Sequence, residues 1–359
     1  TVNAANTVTV SPLGTAGVGT YALVDYDTLG GAGFSAFALG AVGTYPHMTA
    51  ALVDNTTDGR IDLSVTAVDS LIWTGAVNST WNTNTTANFV LASDGVTSAN
   101  FFVGDAVLFN DSGANRTITG TALSTGPLTF TNTTGIDYSI AAPLTVTGNI
   151  AKSGDGTVTL SGTNQINGAV TVTNGVLKIG SAAALTGSTS VTVSGTGTID
   201  ANGITPGLKF NSLILSGGGL GGNGAVVNNG TGLTNTNHFN SITLAGNTTW
   251  GGSARYDVTQ NTIFSGGSNT LTKTGSGELW YSPVEGHTIG NIIVNQGTFG
   301  LQFRSNILDV TSAVTVNDTG FHTLWGVNSQ HPVTVSNDGT FQGGTATSIS
   351  NGIITLSGT

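Results

Sequence analysis

NIAKSGDGTVTLSGTNQINGAVTVTNGVLKI, residues 149–179, alternates apolar residues with Thr, Ser and Asn at period two, and breaks the alternation with Gly or Asn-Gly. Period two puts successive side chains on opposite faces, so the stretch reads as short strands joined by tight turns. Part of it returns about 121 residues later as NTLTKTGSGELWYSPVEGHTIGNIIVNQGTFGL, residues 269–301, with Lys152 matched by Lys273 and Gly154 by Gly275. An internal repeat of short strands is the mark of a solenoid, in which each unit buries its apolar side chains only against its neighbours.

The same reading extends outward in both directions. Residues 1–70 divide into strands TVNAANTVTV, GTYALVDYDT, FSAFALG, MTAALVDN and RIDLSVTAV. Residues 71–140 are strands carrying aromatics, with a loop around residues 78–87. Residues 141–359 hold the purest alternation, from PLTVTGNI to GIITLSGT. The Gly-rich residues 216–232 are the part most like a disordered segment. With no linker or charge run between blocks, the expectation is one continuous all-β solenoid over residues 1–359, with little or no helix. Rungs of about 20 to 25 residues at about 4.8 Å spacing give about 15 rungs.

Composition supports strands and removes several functions. Charged residues are 7% of the chain against roughly 25% in an ordinary domain. There are 54 glycines, and the only glutamates are Glu278 and Glu285, so strong helix formers are scarce. The net charge is −10, and the eight Lys and Arg are scattered singly, which leaves no basic patch for nucleic acid. The absence of cysteine excludes disulfides and thiolate chemistry, and is common in secreted repeat proteins. No apolar run approaches the roughly 18 to 20 residues of a membrane helix. The N-terminus carries no signal peptide, so export would require that a signal had been removed.

Lys152, Gly154, Gly156, Val158, Leu160 and Gly162, followed by Asn164, Gly168 and the strand of Val170, Val172, Gly175 and Leu177, resemble the autotransporter-associated β-strand repeat. The second copy keeps Lys273, Gly275, Gly277 and Leu279, but has Trp280, Pro283 and His287 where small polar residues are expected. The GTYALVDYDT block and the block running from WTG to GDAVLFNDSGANRTIT resemble other parts of autotransporter passengers. The resemblance implies a right-handed parallel β-helix exposed outside a bacterial cell. It implies little about chemistry.

Candidate chemistry is sparse. Asp25, Asp27, Asp54, Asp58 and Asp62 are the densest acidic group and the weak candidates for a calcium site, although Asp is also a turn former in its own right. The histidines lack metal-ligand spacing; His322 and His331 are nine apart. The five tryptophans could stack on sugar rings if exposed in a row, but core packing is their commoner role. No cofactor, metal or catalytic residue is assigned, and the chain is read as a non-enzyme.

Both ends read as strands cut in mid-motif and without caps. Val2, Val8 and Val10 at one end and Ile353, Ile354 and Leu356 at the other are the expected assembly residues. The leading expectation is an extracellular structural protein, either stacking head to tail on copies of itself or forming a segment of a longer surface fibre. A passenger stalk or adhesin comes second and a polysaccharide-active β-helix enzyme third. A surface polysaccharide is the other candidate partner, and no part is expected to insert into a membrane.

Overall fold

From Val107 onward each strand lies parallel to the strand one turn later, and the apolar member of each pair points inward. Tyr138, Ser139 and Ile140 pair with Val158, Thr159 and Leu160, which pair in turn with Leu177, Lys178 and Ile179. Tyr138, Ile140, Val158, Leu160, Leu177 and Ile179 are buried while Ser139, Thr159 and Lys178 face outward. The sequence alternation is therefore the section of a coil seen turn by turn. The computed structural model describes residues 4–10, 17–40, 47–207, 210–284, 287–308, 310–345 and 348–357. It is an all-β parallel solenoid of about 11 turns, with 2% helix.

Each turn has up to three strands. Leu71–Trp73, Val107–Phe109, Leu128–Phe130 and Ile150–Lys152 begin the first face. Thr80–Trp81, Thr117–Gly120, Tyr138–Ile140 and Thr157–Leu160 begin the second. Leu123–Thr125, Leu144–Val146 and Gln165–Ile166 form a short third. Further along, first and second faces fuse into bent strands such as Val170–Ile179 and Val191–Asp200. Like stacks on like inside: Phe109 and Phe130 lie nearly parallel at 4.8 Å. Asn side chains close the interior turns. Asn164 accepts from the Leu144 amide (3.1 Å) and donates to the Ala184 carbonyl (2.9 Å), joining three successive turns. Such bonds supply partners that buried backbone groups would otherwise lack.

Residues 216–232 are built into the coil. Val226–Asn228 pairs with Ile199 and Asp200 on one side and with Trp250, Gly251 and Gly252 on the other.

Two expectations need correction. The first 70 residues do not form rungs: Gly19–Asp25, Arg60–Val68 and Met48–Asn55 make a three-stranded antiparallel sheet over a small cluster of Met48, Leu63 and Val65. Alternation alone cannot distinguish parallel from antiparallel pairing. The informative signal was Asp58-Gly59, a hairpin turn between two alternating runs, with Gly59 at φ +65°. Asn6–Val8 pairs with Phe37–Leu39, and Val10 packs toward the small cluster, so Val8 and Val10 are not a free stacking edge; Val2 lies outside the described residues.

The number of turns is also lower than about 15. Most turns have the expected length, since Val107 pairs with Leu128, Leu128 with Ile150, Ile150 with Val170, and Val170 with Val191. The shortfall comes from the antiparallel segment and from two long excursions, where Leu71 pairs with Val107 and Leu213 with Ile242.

The solenoid's first turn is covered. Leu71–Trp73 pairs with Val107–Phe109 on one side and, antiparallel, with Phe89–Leu91 on the other; Phe89–Leu91 pairs in turn with Ser98–Ala99. Beneath these strands Trp73, Trp81, Phe89, Phe101 and Phe109 pack as one aromatic cluster, each at most 1% exposed. His47 ties the antiparallel sheet to this turn, with Nε2 3.0 Å from the Asn100 carbonyl and 3.5 Å from Asp105. At the far end, among the described residues, Ile354–Ser357 pairs only with Val333–Ser336, and Ile353, Ile354 and Leu356 are exposed.

Candidate functional site

The two repeat lysines are structural devices. Lys152 ends the first-face strand Ile150–Lys152, Lys273 ends Leu271–Lys273, which stacks on Thr248, Thr249 and Trp250, and each is 1% exposed. Lys273 Nζ donates to the carbonyls of Thr274 (2.6 Å), Gly275 (2.8 Å) and, one turn later, Gln296 (3.2 Å). Lys152 Nζ donates to the Gly154 carbonyl and to that of Asn174 on the next turn. Burial lowers both amines to about 8, against the opposing pull of Asp155 and Asp137 near Lys152 and of Glu278 near Lys273. The next-turn glycine completes each device. A Cβ on Gly175 would stand 2.6 Å from Lys152 Nζ, and one on Gly297 would stand 2.9 Å from Lys273 Nζ. Lys, Gly-x-Gly and the following Gly thus form one corner, in which an ammonium gathers carbonyls from adjacent turns. Leu160 and Leu279 of the same motif are core residues.

The surface strip with the most chemistry follows the column of Tyr256, Leu279, Phe299 and His322 and draws on Arg255, Asp257, Glu278, Trp280, Gln302 and Trp325. Their strands are Tyr256–Val258, Glu278–Tyr281, Ile292–Gln302 and Val314–Trp325, on consecutive turns. Asp257 pairs in register with Trp280, Trp280 with Gly300, and Gln302 with Trp325. Arg255 grips the buried Asp257 carboxylate through two nitrogens, at 2.8 and 2.9 Å. It stands 3.8 Å from Glu278, reaches Gln302 at 3.4 Å, and lies 4.8 Å from the Trp280 ring centroid. Gln302 donates to Asp257 (3.3 Å), as does the Asn235 amide (2.6 Å). Trp280 Nε1 donates to Glu278 (2.7 Å).

Glycines seat the two indoles. A Cβ on Gly300 would fall 2.4 Å from a Trp280 ring carbon, and one on Gly344 would fall 2.4 Å from a Trp325 ring carbon. The rings meet edge to face at 6.5 Å. Trp325 is 54% exposed, and Phe303, directly after Gln302, is 55% exposed at φ +69°. A bulky residue in that backbone region is strained, and such strain concentrates at functional sites. The strip offers aromatic surface beside a fixed carboxylate and guanidinium. The other three tryptophans, Trp73, Trp81 and Trp250, are core residues.

The acidic group near the N-terminus does not converge on a cation site. Asp58 and Asp62 bind Arg60 (3.0 and 2.8 Å) and share Asn55, while Asp54 receives the Tyr26 hydroxyl. Asp25 and Asp27 are exposed. Among the described residues no group of three or more His, Cys, Asp or Glu could hold a metal.

One buried constellation escaped the sequence. His322 and His331, both on the turn that runs from Val314 to Val333, place Nε2 against Nε2 at 2.9 Å. His322 Nδ1 donates to the Phe299 carbonyl (2.9 Å), so its Nε2 accepts from His331; His331 Nδ1 then accepts from Ser329. All three are 0% exposed, and burial lowers His322 to about 4 and His331 to about 3. They form a neutral, fully paired chain inside the coil. Nine residues of separation gave no hint of it, because the approach depends on how two strands are wound.

No family model matches the chain, and no curated protein or solved structure matches it. What the structure defines is the class, a parallel β-solenoid of about 11 turns compatible with a β-helix passenger.

Proposed function

We propose that this chain is a rigid, rod-like segment of an extracellular bacterial surface protein, serving to hold other parts at a distance. The observation that carries this reading is the unbroken parallel ladder, in which about 11 turns enclose one continuous core. At about 4.8 Å per turn the coil spans about 50 Å. The repeat resemblance, the 7% charged content and the lack of cysteine support an exported location. Small-angle scattering of the purified chain tests it: the expected particle is an elongated monomer with a coil near that length, and a compact globular profile would exclude a spacer.

Head-to-tail stacking is the second reading. The exposed row of Ile353, Ile354 and Leu356 on a strand paired on one side favours it. The covered first turn opposes it, since Leu71–Trp73 already has partners on both edges. Negative-stain images at high concentration separate the two, with fibres of uniform width expected only if copies stack.

A further inference from the structure

We infer that the strip around Trp280 and Trp325 is a binding site for a neutral polysaccharide, engaging pyranose rings by their C–H faces. Three observations converge on it. The half-exposed Trp325 indole lies on the backbone of Gly344 and is backed edge to face by Trp280, which is 8% exposed and held between Gly300 and the Arg255 guanidinium, so the one ring offered to a ligand is fixed before it arrives. Preorganised aromatic surface of this kind offers apolar contact at little ordering cost. Beside it, Glu278 is 45% exposed and anchored by Trp280 Nε1, which leaves carboxylate lone pairs for sugar hydroxyls. The strip also adjoins a shallow groove that begins at Ser253, two residues before Arg255, and is lined by Asn229, Thr274, Ser276 and Gln296. Amides and hydroxyls are the groups that pair with sugar hydroxyls without demanding charge.

Charge selects the occupant. Arg255 is spent on Asp257 and Glu278, and a second cation beside the strip is Arg304, directly after Phe303. With Asp257 and Glu278 against these two guanidinium groups the strip is close to neutral, which gives sulfated or uronic chains and nucleic acid no cationic patch to bind. A protein partner would need a broad apolar surface, whereas the groove side of this strip is polar. A neutral chain lying along the coil meets all of these terms.

The test is a binding series with cellohexaose, laminarihexaose and chitohexaose as neutral probes and a heparin hexasaccharide as the acidic one. Intrinsic tryptophan fluorescence and calorimetry serve as readouts. At least one neutral probe should bind and quench fluorescence. Trp325→Ala, an exposed change, should weaken that binding by about tenfold with the thermal midpoint unchanged. Glu278→Gln should weaken it less. The inference is overturned if no neutral probe binds at millimolar concentration, if Trp325→Ala binds as well as the parent chain, or if the heparin probe binds more tightly than all three. A failure here leaves the spacer reading standing, because scattering measures shape without regard to ligand.

Discussion

The two ends of the coil solve the problem of the terminal strand differently. At the first turn antiparallel strands take up the free edge and five aromatics fill the space beneath. At the last described turn a parallel strand carries Ile354 and Leu356 into solvent. An edge that is covered cannot template further pairing, and one that is open can. The first turn is closed by strands of its own, whereas Ile354–Ser357 is, among the described residues, paired on one side.

Breaking the closed first turn should have the largest effect. Trp81→Ala empties the middle of the aromatic cluster, where Trp81 touches Phe89, Phe101 and Phe109, and should cost about 3 to 5 kcal/mol in urea unfolding. A loss below 1 kcal/mol would show that the cluster covers the end without supporting it. Next comes the corner device. Lys273→Met keeps an apolar stem but leaves the carbonyls of Thr274, Gly275 and Gln296 without their donor, for about 2 kcal/mol, read by the same unfolding curve.

Acid sharpens the comparison, because the ends carry opposite proton linkages. His322 and His331 near the last described turn have pKa values lowered to about 4 and 3, so between pH 6.5 and about 3 the unfolded chain binds more protons, and stability falls as pH falls. His238, in the middle of the coil and lowered to about 4, acts in the same sense. Asp105, beside His47 at the first turn, is raised to about 6 by burial; the folded state there binds more protons, and its contribution is lost as pH rises from 3.8 through 6. Hydrogen exchange at pH 7 and pH 4.5 should show protection falling at Val314–Trp325 and Val333–Ser336 more than at Val107–Phe109. Equal losses at both ends would remove the distinction. The smallest effect is expected from Leu356→Lys at the last described turn, within about 0.5 kcal/mol in stability because the side chain is 79% exposed.

How much of this was readable before the structure depends on distance along the chain. Val158, Leu160, Val170 and Val172 were legible as core because alternation is local, and Lys152 with its Gly-x-Gly was legible as structural because it recurs at Lys273. The antiparallel start was concealed because its strands alternate as rungs do, and only the Asp58-Gly59 turn distinguishes them. The strip was illegible for a different reason. Arg255 and Gln302 are 47 residues apart and touch only because intervening turns wind back to the same face. The sequence shows which residues face outward, but their neighbours across turns depend on turn lengths that vary with every inserted loop.

The corner at Lys152 continues up the ladder through Val172, Val193 and Leu215 to Leu244, whereas the corner at Lys273 stacks on Trp250, Val226, Ile199 and Leu177, the column of Val158. Because each turn touches little beyond its two neighbours, the coil's length behaves as a quantised inheritance. Whole turns can be duplicated or dropped without disturbing the remainder, whereas a fractional change rotates every outward side chain beyond it. Lys152 and Lys273 mark that difference, since the same corner motif stands on two different columns of the coil.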